Sequence, residues 1–146
     1  MLRVFAVCCA CVLGCSGAEH NAEQLEETLK FFHGHLVAGD VDRASAYVSG
    51  TAAEEFQGLH DPARNAWKLE DFVVISMLPD TKVEPDQDPK NRPERMIVLV
   101  GADVRRTDSI TIKKSRFRET WQKLGQRWFL VEEELATARG PQQNGR

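Results

Sequence analysis

Apolar residues early in the chain repeat at the spacing of an amphipathic helix. The series runs at intervals of four, three and four residues through Leu25, Leu29, Phe32 and Leu36. This spacing places the four side chains on one face of a helix. Asn21 and Gln24 form a capping-box pattern at its start, and Gly39 is a typical C-terminal stop. The pattern therefore predicts a first helix that buries one apolar stripe.

Two shorter helices are predicted before the strands begin. Asp40 is a suitable N-cap for a second helix, which would end at Ser49-Gly50. Its apolar positions are Val41, Ala44, Tyr47 and Val48. Residues 51–54 match a second capping box, which predicts a third helix containing Phe56 and ending near Gly58.

From position 67 onward the residue types become those of β-strands. Enrichment in Val, Ile, Phe and Trp predicts strands over 67–78, 96–105, 109–123 and 127–133. The run from Phe72 to Ile75 is typical of a buried strand. The short turn at 124–126 predicts an antiparallel hairpin between the last two strands. The segment 79–93, with four prolines, predicts an irregular loop.

The third predicted strand has an irregular apolar phase. Ile110 and Ile112 share one face, whereas Phe117 and Trp121 fall on the opposite parity. A strict two-residue period cannot place all four in one core. We therefore expect a β-bulge between positions 113 and 116, which would restore the phase and curve the sheet.

Two segments of the chain resemble the nuclear transport factor 2-like, or cystatin-like, superfamily. Residues 32–48 are similar to the end of its first helix, its Gly-Asp turn and its second helix, and residues 119–131 are similar to its closing hairpin. The resemblance implies an α+β fold with N-terminal helices packed on a curved antiparallel sheet of about four strands. It also implies a conical pocket between sheet and helices, and a possible homodimer through the open sheet face. The superfamily contains enzymes and non-catalytic binding domains, so the fold does not decide the activity.

The first fifteen residues have the composition of an export signal. Residues 1–14 contain 12 apolar residues and one charged residue, Arg3. The apolar run is too short to span a bilayer core of about 30 Å. The segment Val12-Leu13-Gly14-Cys15 resembles the lipobox of bacterial lipoproteins, which implies cleavage after Gly14 and lipidation of Cys15. The alternative is an unprocessed hydrophobic leader or an ordinary secretory signal whose cysteines are incidental. Ser16 in the next position implies the outer membrane, where the organism has one.

These patterns predict the organisation of the chain. A signal peptide covers residues 1–14, and the lipidated cysteine with a short tether covers 15–22. A single α+β domain covers 23–136, followed by a disordered tail over 137–146. All four cysteines lie within the first fifteen residues, so no disulfide framework is expected in the domain. The predicted location is the cell envelope, with the lipid anchor in the membrane.

Charge narrows the possible partners. The chain has 19 Lys and Arg against 22 Asp and Glu, which excludes a strongly basic nucleic-acid-binding protein. Residues 16–90 contain 6 basic and 15 acidic residues, whereas residues 91–146 contain 12 and 7. A solvated sheet face paired with nearby acids is the preferred interpretation of the basic strands. Binding to anionic lipid headgroups or to an acidic partner is the alternative.

Few residues carry recognisable chemistry. His33 and His35 are two positions apart, so on a helix their rings point to opposite sides and cannot chelate one ion. We expect no metal and no cofactor. An enzyme similar to ketosteroid isomerase or scytalone dehydratase would need a base and hydrogen-bond donors in the pocket. The available contributors are His33, His35, Tyr47, Asp103 and Glu119. None of them lies in a motif that aligns with the catalytic positions of those enzymes. Asp103 and Glu119 are candidates to face solvent instead.

The residues most suited to line a pocket are aromatic and polar side chains from both halves of the chain: Phe32, His33, Tyr47, Trp67, Phe117, Glu119 and Trp121. We predict a non-catalytic domain that binds a small apolar ligand or an envelope protein. The alternative is a pocket enzyme of isomerase or dehydratase type. The discriminating observation is whether His33, His35, Tyr47 and Glu119 point into one cavity.

Overall fold

The computed structural model describes residues 16–61, 63, 67–81 and 93–136, with side chains from Glu19 onward. Within these residues, three helices precede four strands: α1 Ser16–Val37, α2 Val41–Ser45, α3 Ala53–His60, β1 Trp67–Pro79, β2 Arg95–Arg106, β3 Ile112–Leu124 and β4 Arg127–Leu135. The strands form one antiparallel sheet in the order β1-β2-β3-β4. This confirms the predicted α+β class. The predicted signal peptide, Cys15, most of the 79–93 loop and the tail lie outside the described residues.

Helix α1 confirms the apolar stripe and corrects its start. Leu25, Leu29 and Phe32 are fully buried. The chain is already helical at Ser16, so the helix begins before the predicted start and Asn21 is not an N-cap. The Asn21 side chain instead donates to Glu94 Oε2 (2.7 Å) and accepts a hydrogen bond from Lys123. These partners attach α1 to β3 and to the residue before β2, which is why the side chain is unavailable for a cap.

The end of α1 and the start of α2 follow the prediction. Gly39 has φ +76°, a left-handed conformation that glycine adopts without steric cost. The Asp40 amide donates to the His35 carbonyl (2.8 Å), which satisfies one free acceptor at the end of α1. The Asp40 side chain then caps α2 by accepting from the Arg43 amide (3.2 Å). One Gly-Asp pair therefore ends one helix and begins the next.

The capping box predicted for the third helix is wrong. Its N-cap is Ala52, which makes no side-chain cap. The Thr51 hydroxyl is instead within hydrogen-bond distance of the Ser49 hydroxyl (2.9 Å). The helix contains buried Phe56 as predicted, and it extends to His60 rather than ending near Gly58.

The two edges of the sheet differ. At β4, the Ser49 amide donates to the Leu130 carbonyl and the Leu130 amide to the Tyr47 carbonyl, each at 2.8 Å. Residues 47–49 therefore leave α2 early to cover this edge, which makes the second helix shorter than predicted. Strand β1 forms the other edge and is not the fully buried strand expected, since Val73 is 60% exposed and Ile75 48%. The side chains of β1 that pack on the core are Leu69, Phe72, Val74 and Met77.

The predicted bulge between positions 113 and 116 is wrong. Strands β2 and β3 pair there in continuous register, from Arg105 opposite Ile112 to Arg95 opposite Gln122. Register shifts occur instead at two places in β1 and once between β3 and β4, beside Thr120. The apolar phase needs no correction in β3 because Ile110 is 95% exposed and Ile112 54%.

The core lies between α1 and the inner face of the sheet. The largest fully buried sheet side chains on this face are Trp121, Trp128 and Leu130. Trp128 and Phe129 point to opposite faces, as strand geometry requires, and Phe129 is half-buried under Arg127 at 5.2 Å. Trp67 is 41% exposed and lies outside this core, at the end of the sheet nearest α3.

Candidate functional site

A buried polar group joins α1 to the inner face of the sheet. His33 Nε2 lies 2.7 Å from Glu119 Oε1, and Trp121 Nε1 donates to Glu119 Oε2 at the same distance. The three side chains are 3% exposed or less. The His33 ring stacks on Phe72 with a centroid distance of 4.7 Å. The expectation that Glu119 could face solvent is therefore wrong.

The hydrogen bonds determine the charge on His33. Its Nδ1 lies 2.9 Å from the Leu29 carbonyl oxygen, which can only accept. With Glu119 ionised, both ring nitrogens therefore face acceptors and both carry protons. Burial alone would lower the pKa of His33, but the charge and hydrogen bond of Glu119 outweigh it, aided by Leu29 and the more distant Glu133, so the pKa is raised above 6.5. The pair is a buried imidazolium carboxylate.

A second histidine–carboxylate pair joins α3 to the sheet. His60 Nε2 lies 2.9 Å from Glu133 Oε2, with side-chain exposures of 14% and 4%. The His60 ring also packs on Phe56, at 4.8 Å between centroids. Glu133 is the cross-strand partner of Glu119. Two acidic side chains are therefore buried side by side, and each is matched by a histidine from a different helix.

The four residues chosen to discriminate an enzyme do not converge on one cavity. His33 and Glu119 bind each other inside the core, whereas His35 is half-buried with its ring 6.2 Å from that of Tyr47. The remaining contributor, Asp103, pairs with Lys114 at 2.9 Å. A sealed pair whose hydrogen bonds are internally satisfied presents no group to a substrate. These four residues therefore do not form the base and hydrogen-bond donor that an isomerase- or dehydratase-type enzyme would need in one pocket.

An open cavity lies elsewhere, between α3 and the inner face of the sheet. Its volume is about 270 Å³. Its apolar wall comes from α3 and all four strands and consists of Leu59, Trp67, Leu69, Val104, Phe117 and Leu135. His60, Lys68 and Ser115 supply its polar contacts. A concave apolar site with a few polar groups has the composition of a small-molecule site.

The seven residues predicted to line one pocket lie in two different places. Phe32, His33, Glu119 and Trp121 belong to the closed core, with Phe32 and Trp121 in edge contact at 5.2 Å. Tyr47 packs beside this core, with its ring 6.4 Å from Phe32. Trp67 and Phe117 alone line the open cavity.

Two residues of the site were not predicted, although the sequence contains a signal for each. His60 lies four residues after Phe56, which places it on the buried face of the same helix. Glu133 lies two residues before Leu135, so strand alternation places both on the inner face. Neither residue belongs to a motif, and only the fold brings them together.

Charges on the sheet are only partly matched. Arg105 pairs with Glu70, Arg106 with Asp108 and Lys114 with Asp103. Among the described residues, the side chains of Lys68, Lys113, Arg116 and Arg118 have no carboxylate partner. Lys113 Nζ lies 5.8 Å from the centre of the Trp67 ring. The predicted pairing with nearby acids therefore holds for part of the basic surface.

Within the described ranges, no group of three or more His, Cys, Asp or Glu side chains is arranged to hold a metal ion. No helix in the same ranges is long and apolar enough to cross a membrane.

Comparison with known proteins identifies the fold and no closer relationship. No protein-family model and no curated protein matches the chain. A candidate Ca/calmodulin-dependent kinase II association domain from Exiguobacterium sibiricum is similar, with a TM-score of 0.54, 14% identity, and coverage of 79% of this chain and 91% of that one. RPA3114, a SEC-C motif-containing protein from Rhodopseudomonas palustris, has a TM-score of 0.54 and 18% identity, with 80% and 81% covered.

A third solved structure is similar at a lower score. A Nostoc punctiforme protein of unknown function with a cystatin-like fold has a TM-score of 0.48 and 10% identity, with 80% of this chain and 90% of that one covered. The helices on a four-stranded antiparallel sheet confirm the α+β fold class of the nuclear transport factor 2-like prediction. At these identities, the similarity carries no activity or partner over to this chain.

Proposed function

We propose that this protein is a non-catalytic binding domain that holds a small, mainly apolar ligand in the cavity between α3 and the sheet. The observation that supports the proposal is the contrast between the two polar sites. The His33–Glu119 pair is sealed and fully hydrogen-bonded, whereas the cavity is open and lined by six apolar side chains. A cavity of this kind binds an apolar ligand by removing its surface from water, and its lining does not pair a general acid with a general base.

The cavity is tested by filling it. Val104→Phe adds volume to the cavity wall, whereas Val73→Phe adds the same side chain to the exposed outer face of the sheet. The neutral dye N-phenyl-1-naphthylamine, followed by fluorescence, is expected to bind at one site per chain. Val104→Phe should weaken binding by about tenfold or more, as expected when an apolar site is blocked. Unchanged binding in Val104→Phe, or loss in Val73→Phe, would contradict the proposal.

We further propose that the domain is held at the cell envelope by a lipid on Cys15. The support is the lipobox-like segment 12–15 after an apolar leader, together with the absence of cysteine from residues 16–146. Cells expressing the protein should incorporate labelled palmitate into it. Cys15→Ala should abolish the label and release the protein from the membrane fraction, whereas Cys11→Ala should retain both. A labelled Cys15→Ala variant would overturn the assignment.

A further inference from the structure

The size of the cavity limits its ligand. A volume of about 270 Å³ accommodates about nine groups of the size of water, each occupying roughly 30 Å³ in the liquid. Six apolar side chains cover most of the wall. Each methylene that leaves water for such a wall contributes to binding in proportion to its area. A methylene group is similar in size to water, so the cavity fits an unbranched hydrocarbon tail of about eight or nine carbons.

The carboxylates near the cavity are paired, whereas one lysine beside it is not. Glu133 behind the wall is bound to His60, and Glu70 on β1 is bound to Arg105. Lys113 has no carboxylate partner within the described residues, and its ammonium group lies against the ring of Trp67, which forms part of the wall.

The position of Lys113 follows from the sheet register. Lys113 is the cross-strand partner of Val104, which in turn pairs with Leu69. Val104 and Leu69 both line the cavity, so Lys113 continues their row on the inner face. Its neighbour Lys114 points to the outer face, where it pairs with Asp103. The chain thus carries one lysine on each face at adjacent positions.

We infer that the ligand is an anionic amphiphile, a monocarboxylate with a tail of about eight carbons whose head group binds Lys113. The inference rests on the proposed binding function and specifies the chemistry of its ligand. The tail displaces water from the apolar wall, and the carboxylate supplies the partner that Lys113 lacks. An uncharged head would leave Lys113 solvated, and a cationic head would be repelled.

Three probes with the same eight-carbon tail and different heads test this inference: nonanoate, 1-octanol and octyltrimethylammonium. Calorimetric titrations use the full chain carrying Cys15→Ala, so that no protein-bound acyl chain competes for the cavity. Nonanoate should bind about fivefold more tightly than 1-octanol in 50 mM salt, and the difference should shrink in 500 mM salt because exposed ion pairs are screened. Lys113→Gln should remove most of the preference for nonanoate and leave 1-octanol unaffected. Lys114→Gln is the matched control and should retain the preference.

The outcomes separate this inference from the function on which it rests. If 1-octanol or octyltrimethylammonium binds as tightly as nonanoate, the anionic head is wrong and the apolar cavity stands. The same conclusion follows if Lys113→Gln and Lys114→Gln behave alike. If none of the three probes binds and N-phenyl-1-naphthylamine also fails to bind, the proposed binding function is itself wrong.

Discussion

His33 is surrounded by two acceptors and no donor, and this sets the chemistry of the core. The Leu29 carbonyl and the Glu119 carboxylate each accept one hydrogen bond from the ring, and Trp121 Nε1 donates a second hydrogen bond to Glu119. A buried charge without its partner is costly, and a buried pair is tolerated only when its hydrogen bonds are complete. The pair therefore acts as a specific attachment of α1 to β3.

Removing one partner of this pair should destabilise the protein strongly. His33→Leu leaves the Glu119 carboxylate buried without its cation, and we expect a loss of about 3–5 kcal/mol in the free energy of unfolding. His35→Leu is the matched control on the same helix and should cost less than about 1 kcal/mol, since its ring is only half-buried. Urea denaturation at pH 7 measures both. Equal losses in the two variants would show that the pair contributes nothing specific.

The pair should also make stability depend on pH, with a defined sign. The pKa of His33 is raised in the folded state above 6.5, so its contribution is complete below that pH and is lost as pH rises through the folded value. The free energy of unfolding should therefore fall on the alkaline side of pH 6.5. In Glu119→Gln, the amide can donate to a neutral His33 ring and accept from Trp121, so this loss should disappear. Urea denaturation from pH 6 to 9 compares the two proteins, and parallel curves would contradict the assignment.

The sequence contained part of this site but not its pairing. Glu119 shares strand parity with Phe117 and Trp121, which indicates that it faces inward, and His33 lies four residues after Leu29 on the apolar stripe. Each burial could thus have been predicted from local periodicity. The contact joins positions 86 residues apart and depends on how α1 crosses the sheet. No local pattern encodes that crossing.

Among the structural elements, the helix ends show why some caps were predictable and others were not. Gly39 and Asp40 act through their own backbone neighbours, so their roles follow from local chemistry. Asn21 matched a capping box equally well, yet its side chain binds Glu94 and Lys123 in the other layer. In the strands, Ile112 matches an apolar strand pattern but lies on the outer face, because the continuous register of β3 with β2 places Phe117 and Trp121 on the inner face.

The cap of α2 is open to direct measurement. Asp40→Ala removes the acceptor for the Arg43 amide, and we expect a loss of about 1 kcal/mol, typical of an N-cap. Asp42→Ala removes an acidic group from the first turn of the same helix without removing a cap. It should cost less than about 0.5 kcal/mol, a typical effect of charge near a helix end. Chemical denaturation of both variants makes the comparison, and a larger loss in Asp42→Ala would show that charge rather than capping matters.

For the whole molecule, the two histidine–carboxylate pairs connect different helices to adjacent strands. His33 joins α1 to β3, and His60 joins α3 to β4, with Glu119 and Glu133 opposite each other in the sheet. Helix α1 is long and contributes a full apolar stripe to the core, whereas α3 has eight residues and a single buried apolar side chain, Phe56. The attachment of α3 therefore depends more heavily on its polar pair.

Local unfolding should consequently begin at α3 when its pair is broken. In His60→Ala, we expect amides of 53–60 to exchange with deuterium about tenfold faster or more, since losing a buried charged hydrogen bond costs about 1.5–3 kcal/mol. Amides of α1 and of the sheet should keep their protection, because His33 and the α1 stripe remain in place. Hydrogen exchange followed by mass spectrometry resolves these segments, with His35→Ala as the control. Faster exchange spread evenly over α1, α3 and the sheet would show instead that the two layers unfold as one unit.

The loosening of α3 should also reach the cavity. Because Leu59 and His60 line the cavity, His60→Ala should bind N-phenyl-1-naphthylamine more weakly.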